Sequence, residues 1–215
     1  MKRTDFFFLF LLSFCWACHS SATKNKAPLA PALLAAGFKS IDSTKSIIKD
    51  GDVVFRNGTD EVSRAARSMN RKDTSFSHCG LVFIEHDSVF VYHALGGSYN
   101  PSQKLKRELL DSFCNPSENN ALGIYRYNLE KEAAEKLRKT VGGYYKAGLK
   151  FDMYFNYFSD DVMYCSEFVF KSLNQCVNGA YNKYLRLDTL PYGVTTDDIF
   201  LNENCTLVKR LKFEW

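Results

Sequence analysis

Hydrophobic positions along the chain fall into short runs and into longer stretches at helical spacing. Gly51-Asp52-Val53-Val54-Phe55-Arg56 is a brief apolar run behind a turn signal and predicts a strand over 51–56. Residues 60–69 follow at helical spacing, with Val62, Ala65, Ala66 and Met69 on one side and Thr59 or Asp60 placed as the cap. Two more strands are predicted over 77–84 and 88–94, joined by the polar turn Glu85-His86-Asp87. Gly96-Gly97 breaks the chain, and 104–113 reads as a short helix or irregular backbone. A strand is predicted over 122–127, a Glu-, Lys- and Ala-rich helix over 129–145, and a closing strand over 206–211. The stretch 164–176 predicts a helix whose apolar side carries Phe168, Val169 and Leu173. Strands clustered together with flanking helices indicate α+β, not alternating α/β.

The N-terminus follows other rules. A basic start at Lys2 and Arg3, a mostly apolar run from Phe6 to Phe14 and the small residue Ala17 are the parts of a secretory signal. The run is shorter than the roughly 20 residues needed to cross a bilayer. Ala17-Cys18 resembles a bacterial lipobox, in which the cysteine is lipidated and becomes the new N-terminus. Cys15 and Trp16 depart from the usual residues before it, which leaves plain secretion as the alternative. The expected organisation is a signal peptide over 1–17, lipidation at Cys18, a tether over 18–40 stiffened by Pro28 and Pro31, and one domain over 41–215. Export with a lipid anchor implies the bacterial cell envelope, with a membrane as partner.

Composition removes other classes. The 215 residues are 46% hydrophobic, enough to bury a core, and the net charge of +4 is too small to argue for nucleic acid. Seven cysteines are too few for a disulfide-dense scaffold and too irregularly spaced for a zinc ribbon or finger. Five cysteines lie in the expected domain, so an odd thiol remains. Cys79 is expected to face the core as a free thiol, while Cys114, Cys176 and Cys205 could supply one disulfide.

Three residues carry the candidate chemistry. Side chains alternate along a strand, so His78 shares a face with Gly80, which has no side chain to block access. If 85–87 is the hairpin turn, paired positions sum to a number near 172, and position 78 meets position 93 or 94. His78 and His93 then become cross-strand neighbours within reach of a ring-to-ring hydrogen bond. Cys165 stands at the expected start of the 164–176 helix, where unpaired N–H groups and the helix dipole favour thiolate and can bind an oxyanion. A thiolate with a histidine to manage its proton is the machinery of acyl transfer through a thioester. On residues alone, these side chains can equally be a satisfied core histidine and a buried small thiol. Two His and one Cys could also make three zinc ligands, although no recognised metal spacing is present, and no metal or cofactor is expected.

The ordered blocks Gly51-Asp52-Val53-Val54-Phe55, Phe76-Ser77-His78-Cys79-Gly80-Leu81-Val82, Val91-Tyr92-His93-Ala94 and Tyr164-Cys165-Ser166-Glu167-Phe168-Val169 resemble the circularly permuted papain-like hydrolases of the YiiX/YaeF type, within the broad NlpC-like cysteine hydrolases. Gly148-Leu149-Lys150-Phe151-Asp152-Met153-Tyr154-Phe155 is similar to the family's G-x-x-[YF]-D-x-x-F run. The resemblance implies a papain-like core in permuted order, mostly antiparallel sheet or small barrel packed against helices. It implies Cys165 as nucleophile, His78 as base and His93 as the third residue that orients His78. Many relatives carry an acid at that third place; a histidine there is similar to the lecithin:retinol acyltransferase relatives. Tyr164 and Ser166, flanking the cysteine, are expected to contact substrate, and Glu167 to pair with a Lys or Arg. The expected reaction is hydrolysis of an amide, in a peptidoglycan stem peptide or another small peptide or amide. Acyl transfer onto a lipid or amine at the same site, or a non-catalytic envelope binding module, are the other readings.

Overall fold

The computed structural model describes residues 28–214, and the expected signal peptide over 1–17, the expected lipidation site Cys18 and His19 lie outside them. Helix α1 (Pro31–Asp42) comes first, with Pro31 in its first turn, where a missing N–H removes no intrahelical bond. This helix corrects the expected tether over 18–40. Gly37 and Ile41 are buried, and a Cβ on Gly37 would come within 2.7 Å of Pro116, so residues 31–40 are docked structure.

Next come β1 (Val53–Gly58), α2 (Glu61–Ser68), β2 (His78–Glu85) and β3 (Ser88–His93). His86 and Asp87 both take positive φ in the two-residue turn between β2 and β3. Then follow β4 (Lys106–Leu109), α3 (Leu110–Phe113), β5 (Asn119–Tyr127) and α4 (Lys131–Ala147). Helix α4 ends at Gly148, which takes the left-handed conformation (φ 69°) that closes a helix at low cost for glycine. The short strands β6 (Lys150–Phe151) and β7 (Val162–Met163) pair in parallel, ahead of α5 (Cys165–Cys176), α6 (Thr196–Phe200) and β8 (Cys205–Lys212).

Six strands form one antiparallel sheet in the order β4-β3-β2-β1-β5-β8. The α+β expectation holds. One local expectation holds only in part. Of 104–113, residues 110–113 form the short helix α3, but 106–109 are the edge strand β4, whose Lys-Arg-Glu-Leu sequence lacks the apolar alternation of a half-buried strand. Helix α2 forms as expected, with Asp60 accepting the Ser63 N–H at 2.9 Å as its cap; it buries no residue, and Val62 is 64% exposed.

Alternation along the strands builds two cores. Phe55, Cys79, Leu81 and Phe83 face α4, α5 and α6, where Leu137, Phe168, Val169, Leu173 and Phe200 complete the packing. Val54, Val82, Val91, Leu122 and Ile124 face the other way, against Ile41 of α1 and Leu110 and Phe113 of α3. All five domain cysteines are free thiols, which corrects the expected disulfide among Cys114, Cys176 and Cys205. Cys114 lies in the second core, across the sheet from Cys176 and Cys205, while the Cys176 thiol donates to the Leu173 carbonyl at 2.9 Å.

Asp52 is a structural residue. Fully buried, it accepts the Lys49 N–H at 2.8 Å and both Arg126 donors at 2.7 and 2.8 Å. Truncating one partner of such a pair leaves the other uncompensated. Asp52→Ala is expected to lower unfolding stability in urea by about 2 kcal/mol, reduced from the fully buried case because Arg126 is 30% exposed. Its Cys165 alkylation rate should stay at the wild-type value. Unchanged stability would contradict the assignment.

Candidate active site

Tyr164 is extended (φ −82°, ψ 172°) and Cys165 is the first residue of α5. The helix starts here because the Glu167 carboxylate reaches back to the Tyr164 N–H at 3.2 Å, the acidic half of a capping box. Glu167 is fully buried and pairs with Lys171 at 2.8 Å, as expected of it, and burial pushes its carboxyl up to about 7. In an α-helix the first N–H groups have no intrahelical partner, so the Cys165 N–H and the positive end of the dipole lie beside its own sulfur.

Cys165 is half-buried, and its side chain packs against the core face of the sheet that holds Cys79. A hydrogen bond from the Cys79 thiol, then the charge and hydrogen bond of His78, hold the Cys165 thiol well below its usual range against the opposing effect of burial. The Cys79 thiol is pushed well above its own range by burial and by the neighbouring sulfur. Cys79 is the buried free thiol expected, and its sulfur neighbours that of Cys165.

His78 opens β2 and His93 ends β3. The hairpin register sums to 173, with Leu81 opposite Tyr92, so the next step places His93 opposite Gly80 and not opposite His78. The two rings therefore meet on a diagonal across Gly80, with His78 Nε2 and His93 Nδ1 2.8 Å apart and the rings edge-to-face. Gly80 makes this approach possible, since a Cβ there would fall 2.6 Å from Val91 Cγ1 and 3.0 Å from His93 Cβ. Phe113 covers both rings at 5.7 and 5.0 Å, and Arg56 stacks over Phe113.

Behind His93 stands Glu108 of β4, absent from the sequence-based list of site residues. Its Oε1 lies 2.9 Å from His93 Nε2, and its Oε2 lies 2.8 Å from Lys106 Nζ. Burial holds His93 down to about 3, outweighing the pull of Glu108 in the other direction. Burial alone would raise Glu108, but the bonds from His93 and Lys106 win and bring it to about 2. Near neutral pH the carboxylate is thus ionised and His93 neutral. The hydrogen-bonding pattern open to this pair puts the His93 proton on Nε2 and leaves Nδ1 to accept from His78 Nε2–H, so that His78 Nδ1 lies outside the pair.

Among the described residues no group of three or more His, Cys, Asp or Glu side chains is placed to hold a metal ion. The nitrogens through which His78 and His93 could share a metal instead face one another in a hydrogen bond.

A cleft opens beside the Cys165 sulfur, lined by Met69, Phe155, Tyr164, Tyr192 and Val194, with no charged side chain in its wall. Asp152 explains the Asp of the Gly148–Phe155 run. It is buried and accepts the Tyr154 N–H at 2.7 Å, fixing the turn that lays Phe155 5.3 Å from the Tyr164 ring. Buried Asp197 does the same for the opposite wall, accepting the N–H groups of Arg71, Lys72 and Asp73 at 2.6–3.1 Å. Tyr164 lines the cleft with its ring while its hydroxyl accepts from the Val194 N–H at 3.4 Å. Ser166 also borders the cleft, but its hydroxyl donates to the Val194 carbonyl at 2.8 Å and is 3% exposed, so its donor anchors the wall.

A family profile described as permuted papain-like amidase enzyme, YaeF/YiiX, C92 family, matches residues 47–198. A crystal structure described as the metalloprotein YiiX from Escherichia coli O157:H7 matches at 20% identity with a TM-score of 0.56, over 78% of this chain and 98% of that one. At that identity the likeness speaks for the fold. No curated protein sequence matches the chain.

A thiol held in the thiolate form alkylates at a pH where free cysteine is inert. Iodoacetamide is expected to label Cys165 at pH 6 at least about tenfold faster than free cysteine, with Cys79, Cys114 and Cys176 spared by burial. Peptide mass spectrometry locates the label. A Cys165 rate that follows the free-thiol profile would contradict the site electrostatics.

Proposed function

Because the chain belongs to the permuted papain-like amidase family of the YaeF/YiiX type, we propose that it cleaves an amide through a thioester on Cys165, with His78 as acid and base and His93 as the residue that orients His78. The single observation that supports this most is the His78–His93 hydrogen bond of 2.8 Å in front of a thiol depressed by Cys79 and His78.

The steps follow from the proton arrangement. Cys165 thiolate attacks the carbonyl carbon, and the developing oxyanion is stabilised by the Cys165 N–H at the start of α5. His78, protonated on Nδ1, gives that proton to the departing nitrogen as the C–N bond breaks, which leaves a thioester and a free amine. Water then loses a proton to His78 Nδ1 and attacks the thioester, releasing the acid and restoring thiolate and imidazolium. His93 stays neutral throughout and holds His78 through Nε2.

The cleft argues for the class of substrate. A wall of Met69, Phe155, Tyr164, Tyr192 and Val194 without a charge suits an uncharged, apolar group next to the scissile carbonyl. A small peptide or amide, including one derived from peptidoglycan, fits if the residue beside the scissile bond is apolar. Exposed apolar side chains also flank lining residues in the chain, with Tyr154 next to Phe155 92% exposed and Leu190 next to Pro191 77% exposed. That exposure favours one second reading, in which the same thioester passes its acyl group to an amine or lipid acceptor. The description of the YiiX structure as a metalloprotein is not carried over, because the imidazole nitrogens here bond to each other and to Glu108, and no step runs through a metal.

Exported location with a lipid on Cys18 completes the reading, supported by the Lys2-Arg3 start, the apolar run and Ala17-Cys18. Among the described residues no helix is long and apolar enough to cross a membrane. In a bacterial host, Cys18→Ala is expected to move the protein from the membrane fraction to the soluble one. An unchanged membrane fraction would contradict lipidation.

The catalytic proposal is tested with a panel of peptides and N-acyl amides that differ in the group beside the scissile carbonyl. Cys165→Ala and His78→Ala are each expected to lower kcat/KM by about a thousandfold or more. Apolar acyl groups should be turned over faster than charged ones, and hydroxylamine should intercept the thioester as a hydroxamate. Product analysis with added amine separates hydrolysis from transfer. Equal turnover by wild type and both variants would overturn the proposal.

A further inference from the structure

The sheet carries the His78–His93 pair one strand further than the proposed reaction uses it. Position 108 of β4 lies opposite Val91 and shares its face with His93, so the Glu108 carboxylate meets His93 on a diagonal, as His93 meets His78. Three adjacent strands thus contribute one polar group each to a buried line. His93 in the middle is fully buried, and Phe113 packs over the rings. Glu108 has its second oxygen tied to Lys106, so the carboxylate is held from both sides. The charged or titratable groups around His93 are His78 from β2, Arg56 from β1, and Glu108 and Lys106 from β4.

We propose that Glu108 is a positioning residue for the amide chemistry, acting through His93 to fix which nitrogen of His78 is left to exchange protons with Cys165. This rests on the reading of Cys165 and His78 given above. Neutral His93 carries a single ring proton. An ionised carboxylate 2.9 Å from Nε2 holds that proton on Nε2, because the other tautomer would set a bare nitrogen against a carboxylate oxygen. His93 Nδ1 is then an obligatory acceptor, His78 Nε2 the donor to it, and His78 Nδ1 free to serve the sulfur. Without Glu108, His93 can place its proton on Nδ1. That proton would turn toward His78, require His78 Nε2 as acceptor and leave the single proton of neutral His78 on Nδ1. In that state His78 cannot accept a proton from the thiol or from water.

A merely structural role predicts a different pattern of variants. Glu108→Gln keeps an oxygen acceptor for the His93 Nε2–H, while Glu108→Ala removes it. On the positioning account, kcat falls about a hundredfold in Glu108→Ala and less than about tenfold in Glu108→Gln, with KM changed little in either. The pH midpoint for iodoacetamide alkylation of Cys165 should rise in Glu108→Ala and stay near wild type in Glu108→Gln. Nitrogen-15 NMR of the histidine rings should show His93 protonated on Nε2 in wild type and Glu108→Gln, and mixed tautomers in Glu108→Ala. The last two readouts need no substrate, so they test Glu108 even if no amide is turned over. Glu108→Ala with a wild-type alkylation midpoint and an unmixed Nε2 tautomer would overturn the proposal, as would equal losses of kcat in both variants. Thermal unfolding of each variant identifies any loss that comes from unfolding, and the NMR tautomer is read on the folded fraction.

Discussion

A buried neutral imidazole has one proton to place, and in this fold an ionised carboxylate decides where it goes. The line Glu108–His93–His78 runs across three antiparallel strands, and each link is a hydrogen bond between a donor and an acceptor assigned by the link before it. Burial keeps His93 neutral down to about 3, so the arrangement persists over the whole physiological range. Everything proposed for the sulfur at position 165 depends on that fixed direction. Gly80 is the geometric condition, because any side chain there would drive the two rings apart.

The permuted order brings the histidines before the cysteine in sequence, yet it assembles the pair in a simple way. The sheet presents the two rings on the face turned toward α1 and α3, while α5 packs on the opposite face with Cys79 and Leu81 beneath it. Since His78 is the first residue of β2 and Cys165 the first of α5, both stand at ends of elements and not in the middle of the sheet. Ends are also where α5 offers its unpaired N–H groups. Two buried aspartates complete the surroundings. Asp152 and Asp197 each gather backbone N–H groups, and so fix the turns that carry Phe155 and the exit of α2 to the cleft.

Much of this could be read from the residues because strong local signals agreed with the fold. The hairpin was legible from apolar runs on either side of a polar turn, and the α5 start from the change of pattern at Tyr164-Cys165. The expected register constant of 172 was one short of the observed 173. Because the true sum is odd, His93 shares a face with His78 as a diagonal neighbour; a sum of 172 would have set it opposite Cys79, on the other face. Glu108 was not legible: it sits in an edge strand of charged residues with no alternation to mark it, and its meaning comes only from pairing with β3. Helix α1 was hidden by the prolines and small residues that read as tether, and its docking depends on Pro116, far along the chain. The wall role of Ser166 was equally out of reach, since its partner Val194 lies 28 positions away.

The central spatial claim can be tested without knowing the substrate. A short dihalo-ketone alkylates a reactive thiol first and then any nucleophilic nitrogen within the reach of its second carbon. Treated near neutral pH and digested, the protein should yield a cross-linked peptide pair joining Cys165 to the Nδ1 of His78, and Cys165→Ala should yield none. Labelling confined to Cys165, with His78 recovered unmodified and the second halide hydrolysed, would contradict the account.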